Sequence, residues 1–327
     1  MTNPMRAIEI SQAGGPEVLS LCERPVPTPA NGQVVLKLAY AGVNRPDALQ
    51  RAGLYNPPKG ASDLPGLEGS GTVAAVGSGV SDLKIGDTVC ALLPGGGYAE
   101  YICVDERLCF PIPKGLSFAE AASLPEVIFT VWFNLFQKAK LTKGEKLLIH
   151  GGTSGIGVMG LQIAQALGIT TYATAGSSEK IDFLKKIGVS KAIHYKKEAF
   201  SEILKEEKLD VILDMVGGDY TNKNLELLQS KGRLVNINAM KSAKVTIDLW
   251  QIISKNLILT GSLLKPQPIN VKAKIAKEVE TTVWPLFKDK QIKPFIEKTF
   301  PLEKAGEAHQ LMESSSHIGK IILNVDE

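Results

Sequence analysis

The eight residues His150-Gly151-Gly152-Thr153-Ser154-Gly155-Ile156-Gly157 constrain this chain more than any other stretch. They follow a short apolar run, 146–150, and open into 155–168, where Met159, Ile163 and Leu167 recur every four residues on one helical face. A strand that turns through glycine into such a helix is half of a β-α-β unit, and the alternation continues. Strands are expected at 171–175, 209–214, 233–237 and 257–264, with a helix at 178–187 closed by Gly188 and another over 119–137. Repeated β-α-β units require a parallel sheet covered by helices on both faces.

Before residue 117 the texture differs. Residues 34–40 are β-branched or apolar and stop at Gly42, and 66–77 and 85–93 continue as short strands closed by glycine. Such strands suit a barrel-like β domain in which glycine supplies tight bends. Beyond 265 come a helix at 269–288, the stretch 292–300, a further helix and a last strand at 320–325, a tail expected to return to the first domain. The expected fold class is α/β: a β-barrel domain over 1–124 and 265–327, and a doubly wound parallel-sheet domain over 125–264. The 327 residues suit two domains at about 150 residues each. With 37 Lys and Arg against 34 Asp and Glu, the net charge of +3 is too small and scattered to point to nucleic acid or a membrane surface. No apolar run reaches the roughly 18–20 residues of a membrane span. No signal-peptide core follows Met1, and four cysteines make no disulfide framework, so the expected setting is the reducing cytoplasm.

At the glycine turn, backbone N–H groups and the positive end of the next helix suit a pyrophosphate. Strict G-x-G-x-x-G is absent: Gly152, Ser154 and Gly157 make G-x-S-x-x-G, so a plain glycine-rich turn is the competing reading. The β-α-β context decides for a dinucleotide, with Gly152, Ser154, Gly155 and Ile156 as expected contacts. An NAD-selective site places Asp or Glu about 20 residues on, to accept from the ribose 2′-hydroxyl. Here that stretch is Ala175-Gly176-Ser177-Ser178-Glu179-Lys180, with Tyr195 at the end of the next strand. Gly176 and Ser177 can surround a 2′-phosphate that Lys180 pairs with, so NADPH is expected over NADH. Glu179 as the missing acid and Lys180 as a solvated helix lysine are the alternatives.

Cys90, Cys103 and Cys109 contain no C-x-x-C pair, and His150, His194, His309 and His317 lie far apart, so no metal site is expected. The cysteines read as small buried hydrophobes and His194 as structural. No G-x-S-x-G elbow points to a hydrolase. In 44–58, Tyr55 stands among polar residues and prolines. Its phenol can donate to an oxygen gaining charge as hydride arrives, or it can simply pack in the loop.

Several stretches belong together: Asn44-Arg45, Gln50-Arg51-x-Gly53-x-Tyr55-x-Pro57-Pro58, Gly66-Leu67-Glu68, Leu92-Leu93-Pro94-Gly95-Gly96-Gly97, Leu124-Pro125-Glu126, Ser154-Gly155-x-Gly157, Thr174-Ala175-Gly176-Ser177, Tyr195-Lys196-Lys197-Glu198 and Ile318-Gly319-Lys320-Ile321. With them the whole chain resembles the zinc-independent quinone oxidoreductases of the medium-chain dehydrogenase/reductase superfamily, most closely their tumour-suppressor-inducible branch. The resemblance implies a GroES-like catalytic domain, a Rossmann domain and an active cleft between them, with Tyr55 and Ser154 at the active site. It matches Gly176, Ser177, Lys180 and Tyr195 to the 2′-phosphate cradle and puts Thr130, Asn238 and Leu264 near the nicotinamide half. Asn44 and Gly217 complete the expected cofactor contacts. Zinc-binding relatives carry Gly-His-Glu where this chain has Gly66-Leu67-Glu68, so the metal histidine is missing. Many relatives have Asn where this chain has His317, either a pH-dependent phosphate contact or a surface histidine. Family dimers join two Rossmann sheets edge to edge, and 257–264 is apolar enough to be such a covered edge, so a homodimer is expected.

The implied activity is metal-free hydride transfer from NADPH to a quinone or another α,β-unsaturated carbonyl. An enoyl-thioester or alkenal reductase on the same fold is the near alternative. A non-catalytic NADPH-sensing or RNA-binding protein is the distant one. The lysines of 265–277 and 288–293 lack the interleaved aromatics that RNA binding uses and read as solvated faces.

Overall fold

The computed structural model describes residues 4–57 and 60–326, so Pro58 among the residues singled out above lies outside it. The chain divides into two compact units: Met1–Val127 with Lys265–Lys288 and Pro294–Glu327, and Ile128–Leu264 with Asp289–Lys293.

The second unit carries six parallel strands in the order Lys191–His194, Thr170–Ala175, Lys146–Ile149, Leu209–Asp214, Leu228–Asn236 and Ile258–Gly261. Numbered along the chain this order is 3-2-1-4-5-6, the doubly wound Rossmann arrangement, whose switch point falls between the first and fourth strands. Leu147, Leu148, Ile149, Val211, Ile212 and Leu213 at the sheet centre have no exposed surface, each burial being worth about 1.5–3 kcal/mol. These runs read as continuous apolar sequence because both faces of the sheet are covered.

Three expected elements differ in the structure. The helix over 119–137 is broken into Phe118–Ala122, Pro125–Val131 and a widened turn, Trp132–Lys138. Ser117 caps the first piece by accepting from Glu120 N, and Pro125, which has no N–H, restarts the chain as a new helix. In the widened turn Ala139 N bonds Asn134 O, five residues back, at 3.0 Å. The helix over 269–288 is likewise two pieces, Ile269–Thr282 and Trp284–Lys288, because Pro285 cannot continue the backbone ladder. The strand at 257–264 pairs only over Ile258–Gly261. The chain then turns at Ser262, whose hydroxyl donates to Asn134 Oδ1 at 2.7 Å.

The first unit is built on the eleven-residue strand Gln33–Val43. It pairs antiparallel with Glu68–Val76, Tyr101–Asp105 and Lys320–Asn324. Thr88–Leu92 and Cys109–Pro111 extend the sheet on one side, and Ile296–Pro301 lies parallel to Lys320–Asn324 on the other. The tail therefore returns to the first unit by pairing Ile321 with Val43 and Asn324 with Tyr40. Gly42 lies directly against the Glu68 side chain, so a β-carbon there would displace that carboxylate. The strand is thus shaped around a buried charge.

Candidate active site

In the second unit the glycine turn leaves the C-terminal end of Lys146–Ile149, beside the switch point. Ser154 caps the helix Gly155–Ala166: its hydroxyl donates to Gly151 O at 2.8 Å and accepts from Gly157 N at 3.0 Å, leaving one lone pair for a ligand. A β-carbon on Gly157 would stand 2.5 Å from Gly151 O, so only glycine lets the helix start this close to the loop. The remaining N–H groups of the first turn, with the helix dipole, present a positive surface suited to phosphate.

The end of the next strand forms a second corner. Ser177 caps Ser178–Lys186 by accepting from Lys180 N at 3.3 Å. A β-carbon on Gly176 would stand 2.7 Å from the Tyr195 hydroxyl, so Gly176, Ser177 and Tyr195 meet in one corner, with half-buried Lys180 on the first helical turn. Tyr195 keeps 43% of its surface exposed. Ala175 ends the strand, and Glu179 points into solvent.

Further along, Thr130 is buried and its carbonyl accepts from Asn134 Nδ2 at 2.8 Å, so Asn134 ties Thr130 to Ser262. Gly217 holds φ +67° and donates to the buried Asp214 carboxylate at 3.2 Å, which also accepts from Val216 N, Asn224 Nδ2 and Asn236 Nδ2. Asn224 reaches His150 in turn: its Oδ1 is 2.8 Å from Nε2, while His150 Nδ1 meets Thr174 Oγ1 at 3.1 Å. Burial pulls the His150 pKa down, so the imidazole is a neutral strut under the strand ends. Asn238 is exposed and bonds Ala239 N, and Leu264 is buried. Asn134, Asp214 and Asn224 carry no local sequence pattern, being single polar residues, Asp214 at a strand end and the two asparagines within helical segments.

The first unit holds a buried polar network. Lys320 Nζ donates to Glu68 Oε1 at 2.6 Å, Asn44 Oδ1 at 2.7 Å and Val43 O at 3.0 Å, using all three N–H bonds. Asn44, expected among the cofactor contacts, has both ends of its amide engaged here, since its Nδ2 donates to Glu68 Oε1 at 2.8 Å. Asn44 N donates to Asp47 Oδ2 and Gly66 N to Asp47 Oδ1. Burial raises Asp47 to about 6 against the pull of these bonds. From there a chain of donors can be oriented. Arg51 has no acceptor, so His309 Nδ1 accepts from Arg51 Nη1 at 3.3 Å and Nε2 carries the proton. That proton is donated to Tyr98 Oη at 3.0 Å, and the Tyr98 hydroxyl turns to Asp47 Oδ2 at 3.4 Å. Burial and then the Arg51 charge hold His309 down to about 3, so the ring stays neutral.

Tyr55 follows the helix Arg45–Arg51 in an open bend. Its ring is half-buried under Lys265 Nζ, 4.5 Å from the centroid, and its hydroxyl has no hydrogen-bond partner among the described residues. Burial, and then the Glu126 charge, push the phenol up to about 12, so it remains a donor throughout the neutral range. Glu126 starts the helix Pro125–Val131 with its N–H on Glu68 Oε2 at 2.9 Å. Lys265 and Lys272 correct the expectation of a solvated face: both are half-buried, Lys272 because the helix Ile269–Thr282 packs its apolar side inward, and Lys265, in the turn before that helix, because its side chain lies over the Tyr55 ring.

Among the described residues no group of three His, Cys, Asp or Glu side chains is placed to hold a metal ion. The cysteines are free thiols; Cys90 is buried as expected, whereas Cys103 and Cys109, expected to be buried too, are only partly so, as is Cys22. His194 N donates to Glu198 Oε2 at 3.1 Å in a surface turn.

Residues 187–323 match the family model described as zinc-binding dehydrogenase, and residues 30–114 match the alcohol dehydrogenase GroES-like domain. The chain is 32% identical to the quinone oxidoreductase of Rattus norvegicus over 98% of this chain and 97% of that one. The solved structure of the Escherichia coli quinone oxidoreductase complexed with NADPH is similar with a TM-score of 0.86 and 30% identity, covering 98% and 99% of the two chains. JamJ enoyl reductase, in its apo form, is similar with a TM-score of 0.87 and 26% identity over 99% and 100%.

Proposed function

The chain belongs to the zinc-independent, quinone-oxidoreductase-like group of the medium-chain dehydrogenase/reductase superfamily, and from that premise we propose that it reduces quinones and related α,β-unsaturated carbonyls with NADPH. One observation carries the cofactor reading: the corner of Gly176, Ser177 and Tyr195, with Lys180 on the adjoining turn and no acid at the strand end. An acid would repel a 2′-phosphate, whereas a capped helix terminus, a hydroxyl and an ammonium attract one. Gly155 and Ile156 would hold the pyrophosphate by their backbone amides and Ser154 by its hydroxyl, with Gly152 and Gly157 leaving room for it, and Thr130, Gly217, Asn238 and Leu264 would hold the nicotinamide half. Asn44, whose amide is taken up by Lys320 and Glu68, is left out of this set.

The bound dihydronicotinamide supplies the hydride. Tyr55, protonated at neutral pH, donates to the oxygen on which negative charge develops, and its desolvation strengthens that bond. An electron-poor acceptor then needs no stronger electrophile than a positioned phenol, provided the reacting atoms are held about 3–3.5 Å apart. Steady-state NADPH oxidation with a quinone panel tests this. Tyr55→Phe should lower kcat/KM by roughly 10²–10³-fold. Unchanged turnover would remove Tyr55 from the chemistry. The likeness to JamJ enoyl reductase favours a second substrate class on the same residues, so the panel includes a crotonyl thioester. No oxidation with any acceptor would favour a nucleotide-sensing role.

A homodimer formed through the edge strand belongs to the same proposal. Ile258–Gly261 has a partner on one side only among the described strands, and Ile258 and Leu263 are 54% and 56% exposed. Leu249, Trp250 and Ile253 of the preceding helix are exposed as well, an apolar area that a second copy would cover. Light scattering at micromolar concentration should report a dimer for the native chain and a monomer for Ile258→Lys. A native monomer would end this assignment.

A further inference from the structure

Lys265 and Lys272 are held in place by neutral groups alone. Lys265 Nζ lies 4.5 Å from the Tyr55 ring centroid and 3.5 Å from Gln50 Oε1. Gln50 is fixed by its own Nε2 donating to Asp63 O at 2.9 Å, which turns its carbonyl oxygen to the ammonium. Lys272 Nζ donates to the Lys265 carbonyl at 2.8 Å. Among the described residues no carboxylate oxygen lies within 4.0 Å of either ammonium. Each therefore keeps two N–H bonds for something else.

Two half-buried cations without counter-ions are costly to keep, and burial pulls both lysines below their ordinary pKa. The charges that reach them from nearby are Asp47, which acts on Lys265, and Glu126, which acts on both. Burial, and then the charge of Glu68, push the Glu126 carboxyl up to about 8, so at neutral pH it is mostly protonated and leaves Lys272 uncompensated and Lys265 with Asp47 alone. We propose that Lys265 and Lys272 form an anion-binding subsite beside Tyr55, which selects acceptors carrying a carboxylate or sulfonate group. The inference rests on the reading of Tyr55 as the residue that meets the acceptor. It goes further by naming a feature that such an acceptor carries and that an unsubstituted quinone lacks.

The subsite has a pH signature. Glu126 faces Glu68, Asp47, Lys320, Lys265, Lys272 and Tyr55. As pH rises through about 8 it gains a negative charge beside the lysines, which then have an internal partner. Loss of a proton from either lysine at higher pH acts in the same direction. Anion affinity therefore falls above about pH 8.

Naphthalene-2-sulfonate and naphthalene-2-sulfonamide have nearly the same shape, differ in charge and accept no hydride. Calorimetric binding to the full chain at pH 7 should favour the sulfonate by roughly ten-fold or more. Lys265→Gln with Lys272→Gln should abolish that preference, and Glu126→Gln should flatten its loss above pH 8. Equal binding of the two probes would overturn the proposal, as would a preference that survives the double lysine change. A sulfonate preference in a chain that reduces no quinone or thioester would leave the subsite standing and refute the reductase reading instead.

Discussion

Lys320→Met should lower the unfolding free energy by about 3–5 kcal/mol, the cost of leaving one member of a buried ion pair without the other. Glu68 has no exposed side-chain surface and Lys320 only 7%, and the contact between them is 2.6 Å. Without the ammonium, the Glu68 carboxylate keeps Asn44 Nδ2 and Glu126 N as donors, two hydrogen bonds against a full charge. Asn44 Oδ1 and Val43 O would lose their donor as well. Urea unfolding followed by circular dichroism measures the change. The double variant Glu68→Gln with Lys320→Met removes both charges and should recover most of the loss. A single variant as stable as the native chain would mean that water reaches the pair.

The second large effect is on cofactor choice. Ser177→Asp keeps a side-chain acceptor at the helix cap, since Asp caps as well as Ser, so Lys180 N remains satisfied. It also puts a negative charge in the corner shared by Gly176 and Tyr195. If a 2′-phosphate sits there, NADPH affinity should fall roughly 100-fold while NADH affinity holds or rises. Fluorescence titration of each reduced nucleotide reads the ratio without any acceptor. An unaltered ratio would place the 2′-phosphate elsewhere.

What the sequence revealed of the fold follows from how each signal is encoded. Both faces of the parallel sheet are covered, so Leu147, Leu148, Ile149 and Val211 to Leu213 form apolar runs that betray their strands directly. The glycine turn was readable because local backbone geometry demands glycine at Gly157 whatever the rest of the chain does. The helix over 119–137 failed at Pro125, where hydrophobic periodicity outweighed the missing N–H. Long-range polar contacts had no such local trace. Lys320 and Glu68 are a lysine and a glutamate far apart in sequence, and only the pairing of Lys320–Asn324 with Gln33–Val43 brings them together. Lys265 and Lys272 read as members of a solvated run because composition shows neither which lysine a helix turns inward, as with Lys272, nor which one folds over an aromatic ring, as with Lys265. Tyr55 was found as a polar aromatic in a stiff loop, but the cation over its ring was not.

The pairing of Lys320–Asn324 with Gln33–Val43 also sets an order of events during synthesis. The last strand of the nucleotide unit, Ile258–Gly261, is made some sixty residues before Lys320, so that sheet has all its strands early. The other unit begins first on the ribosome yet waits longest. Until residue 320 emerges, Glu68 is a charge awaiting its cation and Gln33–Val43 has an open edge at its end nearest Asn44. The half of the protein that would meet the acceptor is thus the half most exposed to chaperones and to wrong partners while the chain is being made.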